Sequence, residues 1–504
     1  PIAQTRMPGW TSASGVCNNL MNGSGVGGPY GSPADYLGTL HAFVQVDEEY
    51  FWCRQTSAAF HQEFPNKTQG ASSTPESDFV AAYHVEMPQG GCLVNGILKK
   101  CLSEREYRKL MALPNEELHA FVADAIELCR PDSVFVCSDA PEDIAHIRQL
   151  AIDAGEETPL AIEGHTIHFD GIQDLARDKG STKYLVPPEI ELGPHLNAIA
   201  KAEGLPEIRG LLEGSMAGRE ALVRFFCLGP VNSPFSIRGV QITDSAYVAH
   251  SEDLLYRPGY EEFKRIGDSK EFFRVLHSAG ELEHGVSANV RKRRVYIDIE
   301  DDIVYSVNTQ YGGNTIGFKK LALRLAIRKA DREGWLSEHM FVMGVHGPQD
   351  RVTYFTGAFP SACGKTSTSM LPGETIIGDD IAYLRLIDDE VRCVNVEYGI
   401  FGIICDVNAK DDPLIYEILT TPNEVIFSNV LVKDGRPYWL GMGCEIPDKG
   451  INFSGEWHKG KTDDEGNEIL PAHKNARYTI SLTKLANLDP RVDDPQGVPV
   501  KGIV

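Results

Sequence analysis

No apolar run in this chain approaches the roughly 18 residues that a membrane-spanning helix requires, so a spanning helix is excluded. Positive charge is scarce. Lys and Arg number 48 against 71 Asp and Glu, a net charge of -23, the wrong sign for a general nucleic-acid binder that must neutralise phosphates. A local cluster of cations could still receive a small anion against that global field. The 11 cysteines are odd in number and scattered, and no CxxC pair occurs. That argues against zinc ribbons and thioredoxin-like redox motifs and favours reduced thiols in a cytoplasmic protein. The opening segment has only Arg6 and Arg54 as cations before Lys67, and no apolar core of a secretory or transit signal. No internal repeat is visible. The sequence starts at Pro1 rather than Met, which points to an N-terminus further upstream.

What is present is ordinary for a large globular protein. At 504 residues, with 42% hydrophobic and 24% charged, two or three domains with sizeable cores are expected. Residues 1–96 are rich in Gly, Ser, Asn and Pro (NNLMNGSGVGGPYGSPAD, NKTQGASSTPES) and read as a loop-rich extension with a few strands and no chemical motif. Order begins near Leu98. Residues 103–130 have helical spacing split by Pro114, with Ser103 and Glu106 arranged as a capping box and Leu118, Phe121, Val122, Ala125 and Leu128 as an apolar stripe. A strand over 132–138 and a helix over 141–154 follow, and this alternation means α/β. Strand material spans 221–242, and 294–307 alternates like a hairpin around Glu300, Asp301 and Asp302. One long helix is predicted over 317–333, then strands at 340–345, 352–359 and 374–377. Residues 459–468 read as an exposed loop.

The sharpest feature is VTYFTGAFPSACGKTSTSM at 352–370, a β-rich run feeding a small-residue loop that ends Gly364-Lys365-Thr366. Gly permits close backbone approach to phosphate oxygens, Lys brings a point charge to the outer phosphates, and Thr offers a hydroxyl to nucleotide-bound Mg²⁺. The general GxxxxGK[ST] template fails at Phe359. The preceding strand and the Gly378-Asp379-Asp380 turn downstream restore the case. One of those carboxylates can bind a metal directly while the other holds a water on the nucleotide's ion.

At FPSACGKTS and GDDIAYL the chain resembles GTP-dependent phosphoenolpyruvate carboxykinases, particularly those of archaea. The likeness continues through ARDKGSTKYLVP (176–187), residues 225–263, YSVNTQYGGNTIGFKK (305–320), GWLSEHM (334–340), EYGIFGI (397–403) and HKNARYT (473–479), from about residue 98 to Val504. It implies an α/β protein with a mixed-sheet N-terminal substrate domain over 97–310 and a P-loop mononucleotide-binding domain over 311–504. It implies the reversible reaction of oxaloacetate and GTP to phosphoenolpyruvate, GDP and CO2, in gluconeogenesis or anaplerosis, by a cytoplasmic enzyme; no nucleic-acid or membrane partner is expected, and the oligomeric state stays open with a monomer favoured. By motif, Lys320, His339 and Asp380 would hold Mn²⁺, with a second Mg²⁺ or Mn²⁺ on the nucleotide. Ala362, Cys363, Gly364, Lys365, Thr366, Ser367, Asp379 and Arg477 would face the nucleotide. Arg177, Tyr311, Gly312, Gly313, Ser361, Asn475 and Arg477 would face the substrate. Lys319, Cys363 and Arg477 would act as catalytic groups.

Decarboxylation of a dianion concentrates charge on one oxygen, and a metal with positioned cations suits that task. Arg177 and Arg477 provide planar forks for carboxylate and phosphate. Lysine as a ligand is the demanding element, because only the neutral amine has a lone pair. Lowering its pKa from ~10.4 to ~7 costs about 4–5 kcal/mol. Cys363 is not required as a nucleophile, so Cys363→Ser is expected to keep some turnover. The family's guanine pocket and lid would lie beyond Val504, so the 504 residues alone are expected to behave as a piece of the enzyme, binding Mn²⁺ and phosphates but turning over poorly. The same chemistry with ATP or pyrophosphate, and a non-catalytic nucleotide binder, stay open.

Overall fold

The structure is a computed structural model that describes residues 41–46, 49–54, 91–283, 285–359 and 364–504. Among the described residues the early segment contributes an antiparallel hairpin, His41–Val46 with Glu49–Arg54. The helices Glu104–Met111 and Glu116–Cys129 flank Pro114, as the sequence predicts. Ser103 accepts the Glu106 amide at 3.3 Å, but the reciprocal half of the expected capping box is absent. Glu106 instead accepts the Val136 amide at 2.8 Å and the Lys109 ammonium at 3.1 Å, tying the helix to the first sheet strand. Asn115 caps the second helix by accepting from Leu118 at 2.9 Å, and Arg130 closes it in the left-handed region.

The N-terminal half is built on a nine-stranded mixed sheet whose central strands are Glu220–Leu228, Ile237–Thr243, Phe272–Ser278 and Ile303–Val307. Those strands are buried along nearly their whole length because both faces are covered, polar members such as Arg224, Gln241 and His277 included. One face packs under Leu118, Phe121, Val122 and Ala125, the predicted stripe. The expected hairpin is Arg294–Asp298 with Ile303–Val307, antiparallel. The second half carries a seven-stranded sheet including Phe341–His346, Val352–Gly357, Thr375–Gly378 and Ala382–Ile387. A five-stranded sheet joins Gly399–Ile403, Arg477–Ser481 and Val425–Ser428 to two strands from far earlier in the chain, His165–His168 and Thr158–Pro159.

One prediction needs correction. The helix does not run unbroken from 317. Gly317–Leu321 is a π-type turn in which Lys319 has φ -83° and ψ -111°, and the regular helix is Ala322–Glu333. The buried Glu252 carboxylate accepts the Gly317 amide at 2.9 Å, a partner that no local pattern supplies. π-type turns favour functional positions, and here the irregularity turns two consecutive lysines toward one carboxylate.

Candidate functional site

Each candidate side chain sits at an element's end, where the backbone leaves a sheet and can aim a group into a cleft. Asp379 and Asp380 follow the strand Thr375–Gly378, His339 falls between Leu336–Glu338 and Phe341–His346, and Lys319 and Lys320 lie in the π-type turn. They meet. His339 Nε2 lies 2.6 Å from Asp380 Oδ1 and in hydrogen-bond contact with Lys320 Nζ, which itself lies 3.3 Å from Asp380 Oδ1. The ammonium of Lys365 contacts the same Asp380 oxygen and bonds the Asp379 carbonyl at 2.5 Å. Lys319 pairs with Asp380 at 2.8 Å and with Glu397 at 3.0 Å.

The electrostatics follow from that crowding. Burial opposes ionisation of Asp380, but the charges of Lys319, Lys320 and Lys365 outweigh it and hold the carboxyl well below its usual range. Burial, then the Lys320 charge, keeps the His339 imidazole neutral by lowering its pKa. For Lys319 burial opposes the charge, but Asp380 and then Glu397 override it and raise its pKa, so it stays an ammonium.

A divalent cation fits this donor set. Asp380 Oδ2 is buried without an aligned hydrogen bond, although Lys319 Nζ is 2.8 Å away, and Asp379 Oδ1 is likewise buried and unbonded. An ionised carboxylate, a neutral imidazole and an amine within mutual contact are the donors that transition ions of intermediate softness accept. Among the described residues no cluster of three His, Cys, Asp or Glu forms a metal site, so the fit depends on the lysine nitrogen.

Beside this centre, Tyr311 begins a short helical turn, Gly312–Thr315. Asn475 Nδ2 donates to the Tyr311 hydroxyl at 2.6 Å, and Arg477 Nη2 lies 3.3 Å from the same hydroxyl and 2.6 Å from Asn475 Oδ1. Arg477 Nε is buried without a hydrogen bond, and its guanidinium stacks over Phe401 at 5.2 Å. The two glycines are sterically required. A Cβ on Gly312 would stand 2.6 Å from the Phe401 ring, and one on Gly313 would overlap the Tyr311 ring and meet Arg177 Cγ at 3.3 Å. Arg177, Tyr311, Gly312, Gly313, Asn475 and Arg477 are therefore neighbours, although they come from three distant stretches of chain.

Gly364 adopts φ +85° and opens the short helix Lys365–Ser369. Thr366 is half-buried and Ser367 exposed, with the Ser367 hydroxyl donating to Asp412 at 3.0 Å. Ser361, Ala362 and Cys363 lie outside the described residues. Sequence reasoning missed Glu397, which neutralises Lys319 and accepts the Ile381 amide at 3.0 Å, and missed Glu252 beneath the π-type turn. The Glu-Tyr-Gly stretch containing Glu397 was visible as a motif, but nothing in its spacing connects it to residue 319.

The site thus gathers the lysine of a phosphate-type loop, a pair of adjacent carboxylates and two arginines, Arg177 and Arg477, from distant parts of the chain. Residues 120–331 match the phosphoenolpyruvate carboxykinase N-terminal domain and residues 335–504 its C-terminal P-loop domain. The chain is 58% identical over 409 residues to the phosphoenolpyruvate carboxykinase [GTP] of Pyrococcus abyssi, covering 81% of this chain and 66% of that protein. It is 54% identical over 417 residues to that of Pyrococcus furiosus (82% and 67%), and 34% identical over 411 residues to that of Chlamydia caviae (78% and 67%). The chain belongs to the GTP-type phosphoenolpyruvate carboxykinase family. It spans 66% of the length of the Pyrococcus abyssi relative. No helix among the described residues is long and apolar enough to cross a membrane.

Proposed function

We propose that this chain catalyses the reversible, GTP-dependent conversion of oxaloacetate to phosphoenolpyruvate, with release of CO2 and GDP. The observation that carries the reading is the convergence of Lys320, His339 and Lys365 on the single carboxylate of Asp380. Lys320, His339 and Asp380 would hold Mn²⁺, and Asp379 would face a second Mg²⁺ or Mn²⁺ on the nucleotide. A divalent ion there supplies positive charge where decarboxylation leaves negative charge on oxygen.

The chain's own groups do the rest. Arg177 and the Tyr311–Gly313 turn seat the dicarboxylate, Ser361 would contribute by its motif position alone, and Asn475 holds the Tyr311 hydroxyl. Arg477, whose Nε has no hydrogen-bond partner among the described residues, binds an anionic oxygen between substrate and phosphoryl donor. Lys365 and the rest of residues 362–367 neutralise the outer phosphates. Lys319 remains charged, held by Asp380 and Glu397, and adds positive charge beside the metal ligands. In phosphoryl transfer, alignment and charge neutralisation account for most of the catalysis, and this set supplies both.

The test is a coupled assay with Mn²⁺ comparing GTP, ITP, ATP and pyrophosphate, on this chain and on one extended to the relatives' length. Phosphoenolpyruvate formation with GTP is expected, robust from the extended chain and weak from this one. Formation only with ATP or pyrophosphate, or nucleotide binding without Mn²⁺-dependent oxaloacetate decarboxylation, would overturn the assignment.

A further inference from the structure

Asp174 lies three residues before Arg177 and is buried, its side chain 1% exposed. Its carboxylate collects donors from two remote segments. Oδ2 accepts the Gln310 amide at 2.7 Å and the Tyr311 amide at 3.1 Å, and the Thr309 hydroxyl reaches Oδ1 at 2.8 Å. Arg293 Nη1 adds an ion pair to Oδ1 at 3.1 Å. That same guanidinium bonds the Gln173 carbonyl at 3.0 Å and Asp178 Oδ2 at 3.1 Å, so it grips the Arg177 segment on both sides. From the other half of the molecule, Asn475 Nδ2 bonds the Leu175 carbonyl at 3.0 Å as well as the Tyr311 hydroxyl.

We propose that Asp174 is a positioning residue that fixes the distance between Arg177 and the Tyr311–Gly313 turn, and so sets affinity for the carboxylate-bearing substrate without touching it. The inference rests on the function proposed above, because it takes those two segments as the substrate's seat. The physical reason is geometric. A small dicarboxylate bridges two binding groups only at one separation, and displacement of about 1 Å can cost on the order of a hundredfold. Two loops more than 130 residues apart in sequence share no local structure that would hold them in register. One buried carboxylate with backbone amides on one side and its own turn on the other does so, the turn being closed by Asp174 N–H to the Gly171 carbonyl at 2.7 Å. An uncharged amide cannot accept from all of these donors, since its nitrogen would face one of them.

The arrangement predicts a selective loss. The Lys365 segment is fastened separately, through the Asp379 carbonyl and Asp380, so nucleotide affinity should change far less than substrate affinity, Arg477 being the one shared group. The experiment is calorimetric binding of phosphoenolpyruvate and of GTP, with Mn²⁺, to the wild type and to D174N, T309V and D143N. Asp143 is a matched control, a buried carboxylate holding Lys109, Arg105 and Ser138 away from these segments. Phosphoenolpyruvate affinity is expected to fall at least tenfold in D174N and about threefold in T309V, with GTP affinity within twofold of wild type in both and D143N unchanged for both ligands. A folded D174N that binds phosphoenolpyruvate within twofold of wild type overturns the proposal, as does a parallel loss of GTP binding or a D143N that reproduces the effect. If D174N does not fold, T309V decides, and an unchanged phosphoenolpyruvate affinity there refutes the role. A wild type that binds phosphoenolpyruvate yet forms none from oxaloacetate sinks the proposed function alone. A wild type that binds none sinks both.

Discussion

Replacing Glu397 tests whether the lysine–carboxylate cluster is a balanced charge set. Glu397 is 1% exposed, Lys319 8%, and Asp380 also 8%. Removing one partner of a buried pair costs about 3–5 kcal/mol when the remaining charge is stranded. Here Asp380 still neutralises Lys319 at 2.8 Å, which reduces the expected cost of Glu397→Gln to roughly 2–3 kcal/mol. Glu397→Leu also removes the acceptor for the Ile381 amide, adding about 1–2 kcal/mol for a buried donor left unbonded. Urea unfolding followed by tryptophan fluorescence measures both, because Trp335 packs edge-on to Tyr383 at 5.1 Å within the adjoining core. Lys319, left with one partner, should also compete harder for Asp380, so the Mn²⁺ concentration needed for activation should rise several-fold. A Glu397→Gln protein within 0.5 kcal/mol of wild type, taken as about half the smallest effect of a broken hydrogen bond to charge, would refute the reasoning. So would a Leu variant no less stable than the Gln variant.

Three further outcomes are expected. Gly312→Ala places a methyl 2.6 Å from Phe401, the ring under Arg477, and should cost about 1–3 kcal/mol and lower kcat/KM more than tenfold, read by denaturation and steady-state kinetics. Chelation should abolish turnover and Mn²⁺ restore it, whereas His339→Ala should need far more Mn²⁺ for the same recovery; equal titration curves would contradict the ligand assignment. Glu424, bonded to Arg148 and to His250 at 3.2 Å, has its carboxyl lowered to about 2 despite burial. A depressed carboxyl stabilises fully above its unfolded value near 4.5 and loses that contribution as pH falls toward 2. Because the side chain is 34% exposed, the full shift is discounted, and Glu424→Gln should cost about 1–2 kcal/mol at pH 7, a difference that closes across that acidic window. A gap that persists unchanged at pH 2–3 would show that packing, and not charge, is responsible.

Much of the framework was legible because it is local. Proline and an apolar stripe delimit the helices on either side of residue 114, and alternation around three acidic residues fixes the 294–307 hairpin. The meeting of Lys320, His339 and Asp380 was legible only through whole motifs, since a lysine pair at the head of an apolar stripe otherwise reads as a solvated helix start. What escaped was non-local. The break in the helix at Lys319 depends on Glu252, 65 residues from the amide it accepts, and the pairing of 165–168 with 425–428 depends on contacts no window contains. Asp174 escaped for the same reason: its side-chain partners lie more than 100 residues away, and two of them are backbone amides, which carry no residue identity for a pattern to register.

The early strands His165–His168 and Thr158–Pro159 lie in a sheet otherwise made from the last third of the chain, separated from Gly399–Ile403 by Arg477–Ser481 and Val425–Ser428. The halves are thus stitched together rather than strung on a linker. Severing the backbone at a surface turn between them would not let them drift apart, and the late sheet cannot finish assembling as an autonomous body, because two of its rows have to be lent by a part of the polypeptide made long before.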